Sequence, residues 1–230
     1  MLDGKPLESI DESDLQKLIV NEVSEGKTYD YKNNNVGDSP GEKKEFLSDI
    51  SSFSNCVGGH LILGVEEANG VPVRMQGLNI VNEDAEKNRL DQIIQSGMQP
   101  RMIPTHQIHI VKLKNLHKIV ILRIYNSLTK PHMVTFQNSN KFYSRNSHGK
   151  YLMDVGEIRN LFLMSESAIE KVKNFRMDRL GRIHSGEANI SSSLPKMVMH
   201  IIPLSISDSA NQIDVSTFDK FDLLMPMRAN

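Results

Sequence analysis

The sequence predicts an α+β protein: a mixed, largely antiparallel sheet packed with helices, followed by a C-terminal α/β extension. Three observations point there. Apolar residues recur at helical spacing in four separate stretches, 8–23, 41–57, 84–97 and 154–184. Between them lie short β-rich runs, of which KIVILRI (118–124) is the most apolar. Turn chemistry, such as Asn69-Gly70 and Lys114-Asn115-Leu116, falls where hairpins need it.

The first helix lies in 8–23, where Ile10, Leu15, Leu18, Ile19 and Val23 form a stripe, with Asp11 or Ser13 as cap. KTYDYKN (27–33) fits a strand, and VGDSPGE (36–42) has loop composition. From Gly41 onward, Phe46, Ile50, Phe53 and Val57 lie about one turn apart, and Gly58-Gly59 is expected to stop that helix. HLILGVEE (60–67) reads as a central strand that turns at Asn69-Gly70 into VPVRM. A helix over 84–97 carries Leu90, Ile93 and Ile94 and closes at Gly97. HQIHIVKL and HKIVILRIY read as one hairpin, and KPHMVTF with KFYSR as another pair.

Over 154–184, Ile158, Leu161, Phe162, Ile169, Val172, Phe175 and Leu180 are expected to be the buried stripe of a helix. EANISSSLP (187–195) has linker composition, and KMVMHIIPL (196–204) fits a further strand. The expected division is a domain over 1–165 and an extension over 166–230.

Composition is that of a soluble globular chain, with 39% hydrophobic and 24% charged residues. No apolar run is long enough to span a membrane. The acidic N-terminus lacks the layout of a signal peptide, so a cytoplasmic location is expected. Cys56 is the only cysteine, which excludes an intrachain disulfide and a cysteine-based zinc cluster.

The net charge of −1 hides a strong asymmetry. Residues 1–60 hold 6 Lys/Arg against 12 Asp/Glu, whereas 61–165 hold 13 against 8. Between Asp91 and Asp154 there is no acidic residue, but Arg101, Lys112, Lys114, Lys118, Arg123, Lys130, Lys141, Arg145 and Lys150 all occur. Either these cations form a face for a polyanion such as RNA or DNA, or they spread over several strands and point apart. Arg145 follows Phe142 and Tyr143, so a base could stack on an aromatic while Arg145 meets phosphate; alternatively, Phe142 is core and Arg145 pairs with a surface acid. His132 could act as a general acid or phosphate donor, or serve structure.

EGKTYDYKNNN (25–35) places Glu25, Asp30 and Lys32 close together. Strand alternation puts Asp30 and Lys32 on one side and Tyr29 and Tyr31 on the other. Carboxylates of this kind can hold Mg²⁺ or Mn²⁺ at a phosphodiester, and an ammonium can offset transition-state charge. The same pattern also serves as a solvated ion pair. No G-x-x-x-x-G-K-[ST] loop for ATP is present.

The succession EGKTYDYK, EFLSDISSFSNCVGGHLILGVEEANG, KPH and KFYSRNSHGKYL resembles the Schlafen-type AlbA-like domain over about residues 20–165. The tail also resembles the segment C-terminal to this domain in larger bacterial members. The resemblance implies a domain that engages nucleic acid. In the branch that cuts structured RNA such as tRNA, it implies a three-carboxylate, divalent-metal endoribonuclease acting in stress or anti-phage defence. Glu25, Asp30 and Lys32 match the family spacing, although Asp30 stands where the family has glutamate. The third acid falls on Glu66 or Glu67, with Glu66 preferred. Catalytic residues are then Glu25, Asp30, Lys32 and Glu66, with Glu25, Asp30 and Glu66 on the metal. Lys130, His132, Lys141, Tyr143, Arg145 and Lys150 would contact nucleic acid, and a homodimer would supply the second lobe of a clamp.

Overall fold

The computed structural model describes residues 2–102 and 106–187. Helix α1 (Glu12–Val20) opens on a capping box between Asp11 and Asp14, and ends earlier than its apolar stripe suggests. Strand β1 (Tyr29–Lys32) comes next, then α2 (Pro40–Asn55), capped by Ser39 with Glu42 reaching back. The next strands are β2 (Gly58–Leu63), β3 (Val65–Ala68) and β4 (Val71–Met75). Helix α3 (Glu83–Gly97) leads into β5 (Met98–Gln99). Strands β6 (His106–Lys112) and β7 (Lys118–Tyr125) form the expected hairpin. Strands β8 (Met133–Val134), β9 (Lys141–Asn146) and β10 (Gly149–Leu152) precede α4 (Val155–His184).

The main sheet has the order β1-β2-β7-β6, with β1 parallel to β2 and the other pairings antiparallel. A second antiparallel sheet runs β10-β9-β8-β5, and β3 pairs with β4 alone. The fold is therefore α+β and largely antiparallel, as the sequence predicts.

Alternation along the main sheet makes two cores. Leu61, Leu63, Val120, Leu122 and Ile124 face α2 and α3, while Tyr29, Tyr31, Ile62, Ile119 and Ile121 face α1 and the N-terminal segment. Helix α2 packs on the main sheet and also on β8, β9 and β10, so every residue from Phe46 to Asn55 is buried. Ser48, Ser51 and Ser52 fit there because their hydroxyls donate back to carbonyls one turn earlier.

Two expectations change. The Gly58-Gly59 pair does not stop α2, which ends at Asn55; both glycines are the first residues of β2, paired with Tyr125 and Ile124. Gly59 is required because a Cβ there would sit 2.5 Å from the Thr28 carbonyl oxygen and 2.6 Å from the Phe53 ring. The stripe of α4 is not buried: Phe162, Ile169, Phe175 and Leu180 are exposed, and Ser165 is the buried residue. The first turns of this 30-residue helix meet the domain through Tyr151 with Glu157, Phe142 with Phe162, and Ser165 with the Leu128 carbonyl. Helix α4 crosses position 165 without a break. The strand expected at 196–204 and all but the first residue of the 187–195 linker lie outside the described residues. Among the described residues, no helix is long and apolar enough to cross a membrane.

Candidate functional site

The parallel pairing of β1 with β2 fixes Asp30 beside Leu61 and Lys32 beside Leu63, on the face that α2 covers. Alternation then brings the Lys32 ammonium to 2.8 Å from Asp30 Oδ1, while Tyr29 and Tyr31 enter the opposite core. Into the same space α2 projects Asp49, whose side chain is 2% exposed. Lys150 of β10 reaches Asp49 Oδ1 at 2.7 Å, and Lys32 lies 3.9 Å from its other oxygen. Sequence reasoning missed Asp49. It lies within the stripe Phe46, Ile50, Phe53, and an acid on an apolar helical face is the signal that could have found it.

Arg145 closes the cluster. Its Nη2 donates to Asp30 Oδ2 at 2.6 Å, Nε to the Gly26 carbonyl at 3.0 Å, and Nη1 to Ser52 Oγ at 3.3 Å. The guanidinium stacks 4.0 Å from the centroid of Phe53. Burial acts to raise the Asp30 carboxyl, but Lys32 and Arg145 together outweigh it and hold the group below its usual range. Asp49 goes the other way: burial, then the charge of Asp30, push it up to about 6 against Lys150 and Lys32.

The three acids expected to share a metal do not converge. Glu25 is near the cluster, half-buried, with Oε1 accepting from the Tyr31 amide at 2.8 Å. Burial first, and then Asp30 and Glu67, raise its carboxyl. Glu66 is elsewhere. The chain turns sharply at Gly64 (φ +97°), leaves β2 and enters the separate β3–β4 hairpin, where Glu66 Oε2 takes two hydrogen bonds from Arg74, at 2.8 and 3.1 Å. A bulge between Glu66 and Glu67 shifts the register, and Glu67 is the acid whose charge reaches Glu25. Of the two acids, Glu67 rather than Glu66 therefore acts on the Glu25 carboxyl. Both Asp30 oxygens are already engaged, by Arg145 and Lys32. Among the described residues, no group of three or more His, Cys, Asp or Glu is arranged to hold a metal ion. Glu25, Asp30 and Glu66 therefore do not form such a group.

The expected nucleic-acid contacts divide. The Arg145 side chain is 1% exposed and spent on internal partners, so it does not present itself to phosphate; the ring it stacks on is Phe53, not Phe142 or Tyr143. His132 is fully buried: Nδ1 donates to the Pro100 carbonyl at 2.7 Å, and Nε2 accepts from Ser127 Oγ at 2.7 Å. Burial lowers its pKa, which keeps it neutral and structural. Tyr143 packs against the main core. Lys130 donates to Asn126 Oδ1 at 2.9 Å, and Lys141 is exposed at the start of β9.

The basic interval is not one face. Arg123 is buried, with hydrogen bonds to His60 and to the Leu2 and Lys5 carbonyls that pin the N-terminal segment. Lys112 and Lys118 pair with Glu83. Arg101 and Lys114 are exposed.

The solved structures that resemble this fold include the DIP2311 protein of Corynebacterium diphtheriae, at 14% identity over 62% of this chain and 27% of that one, with a TM-score of 0.40. Another is the N-terminal domain of a RecG-related protein of Nitrosomonas europaea, at 20% identity over 57% of this chain and 84% of that one, with a TM-score of 0.42. No curated protein matches the chain. Residues 25–154, more than half of the sequence and the span that holds Glu25, Asp30, Asp49, Arg145 and Lys150, match the family described as Schlafen, AlbA_2, and the protein belongs to that family.

Proposed function

We propose that this chain is a nucleic-acid-binding module in which the cluster of charges between β1, α2 and the β9–β10 hairpin positions Lys32 for phosphate. The observation that carries the reading is the graded exposure of the three cations. Arg145 is sealed at 1%, Lys150 is at 20%, and Lys32 is at 39% with its head braced by Asp30. A buried ion pair can hold an exposed ammonium in place as well as neutralise it, because the fixed carboxylate removes much of the entropy lost on binding. The Schlafen family membership supplies the class of partner.

The test is fluorescence anisotropy of the whole chain with labelled tRNA and with duplex DNA over a salt series. Binding should weaken linearly in log salt, and Lys32→Ala should weaken it further and flatten the slope by about one phosphate contact. Absence of salt-sensitive binding to either polymer rejects the module.

The finer reading is a metal-dependent endoribonuclease acting on structured RNA in stress or anti-phage defence. One observation favours it: burial, Asp30 and Glu67 raise the half-buried Glu25 carboxyl in spite of Lys32, which is where a further cation would bring relief. Against it stand the two cations already on Asp30. Incubation with total tRNA and Mn²⁺ separates the readings, because cleavage by wild type but not by Glu25→Gln supports the enzyme. A homodimer as the source of a second lobe is a proposal about assembly. Sedimentation of the chain with and without RNA measures it.

A further inference from the structure

We propose that the cleft between the end of β1 and the first half of α2 is a pocket for one unpaired nucleobase. This deepens the nucleic-acid reading and rests on it for the source of the base.

The cleft encloses about 340 Å³, within the range of small-molecule sites and of the size of a nucleoside. Its apolar lining is made by Val36 and Phe46 with Leu61 and Leu63 of β2. Its rim is polar and mixed in hydrogen-bonding type. Asn33 and Asn34 are exposed there, each with one amide donor pair and one acceptor. Asn35, by contrast, is tied to Glu86 and to the Val36 amide. Asp49 and Lys32 also line the cleft, the former nearly sealed by its ion pair with Lys150 and the latter half-exposed.

A cleft lined by both apolar and amide side chains matches a heteroaromatic ring with a polar edge. The rim also says which part of a nucleotide enters. Glu42 and Glu45 line the α2 side, so a polyphosphate is repelled, while a single phosphate outside the cleft can still meet Lys32. The base goes in and the backbone stays out. A paired base cannot offer its edge in this way, so the pocket selects unpaired strands.

Gly41 is among the residues lining the cleft, and a Cβ built there meets nothing within 4 Å, so a larger side chain can be placed on the lining without a clash. Adenosine, guanosine, cytidine and uridine are titrated separately into isotope-labelled full chain, tracking the side-chain amide signals of Asn33 and Asn34. Anisotropy then compares an unpaired oligonucleotide with its duplex, for wild type and Gly41→Leu.

The expected result is that at least one nucleoside shifts both amides in wild type and neither in Gly41→Leu. The variant should bind the unpaired strand about tenfold more weakly and the duplex equally well. Wild-type amides that respond to no nucleoside overturn the pocket, as does a Gly41→Leu variant that binds the unpaired strand as tightly as wild type binds it. If nucleosides shift the amides but no polymer binds, the pocket stands and the binding module falls. If polymers bind while nucleosides do nothing, the pocket alone falls.

Discussion

Arg145 of β9 joins Asp30 of β1 across 115 residues of sequence through a buried contact of 2.6 Å, with both side chains under a tenth exposed. The pair links the main sheet to the smaller one, since β9 belongs to the second sheet and β1 is the edge of the first. Truncating Arg145 leaves Asp30 buried with Lys32 as its remaining ion-pair partner. Arg145→Met should therefore lose about 3–5 kcal/mol of stability, read as a lower midpoint in urea denaturation. Arg145→Lys should recover only part of this, because one ammonium cannot reach Asp30, Gly26 and Ser52 at once or stack flat on Phe53. A full recovery by lysine would mean that charge alone matters.

The second prediction concerns pH. Asp49 is held at about 6 in the folded chain, above the ordinary value of 3.8 for an unfolded aspartate. Between those two values the folded state keeps a proton that the unfolded state has lost. The stability this group contributes is complete below about pH 4 and disappears as pH rises through 6. Asp30 has the opposite sign: its lowered carboxyl contributes above 3.8 and is lost in acid. Asp49→Asn mimics the protonated form, so it should match wild type near pH 4. It should then gain on wild type by roughly 1–3 kcal/mol by pH 7. Denaturation curves at pH 4, 5, 6 and 7 decide this, and a constant difference between the two proteins rejects the shifted carboxyl.

A third prediction contrasts two glycines. Gly59→Ala drives a methyl group into the Thr28 carbonyl and the Phe53 ring and should cost more than about 2 kcal/mol. Gly41→Ala, in the first turn of α2 with open space around it, should be neutral or stabilise by up to about 1 kcal/mol. Thermal melts of the two variants test the pair together.

These sites show where the sequence is legible. The β6–β7 hairpin, the Asn69-Gly70 turn between β3 and β4, and α3 arise from local chemistry, and local chemistry is written in neighbouring residues. Asp30 and Lys32 share a face as alternation requires, because alternation needs only the strand. Direction over distance is where the sequence falls silent. Arg123 and Arg145 read as surface charge in a one-signed stretch, yet both turn inward, and the partners that draw them in lie as far back as Leu2 and Asp30. Ranking Glu66 over Glu67 assumes one regular strand, but Gly64 and a bulge put both acids on another hairpin. Periodicity identifies the stripe of α4, but it says which face is apolar and not whether anything covers it.

The fourth prediction concerns that hairpin. Glu66 and Arg74 are an exposed cross-strand pair, so Glu66→Ala should change stability by less than about 1 kcal/mol. It should leave the Glu25 carboxyl where it is. Glu67→Gln should lower the Glu25 pKa toward its ordinary value, because Glu67 is one of the two acids that raise it; burial, the larger cause, remains and prevents a full return. Carboxyl-detected titration of Glu25 in the three proteins measures this directly. Should Glu66→Ala move Glu25 and Glu67→Gln leave it still, the order of the two acids around the site is reversed. Glu66, rather than Glu67, would then be the acid whose charge reaches Glu25.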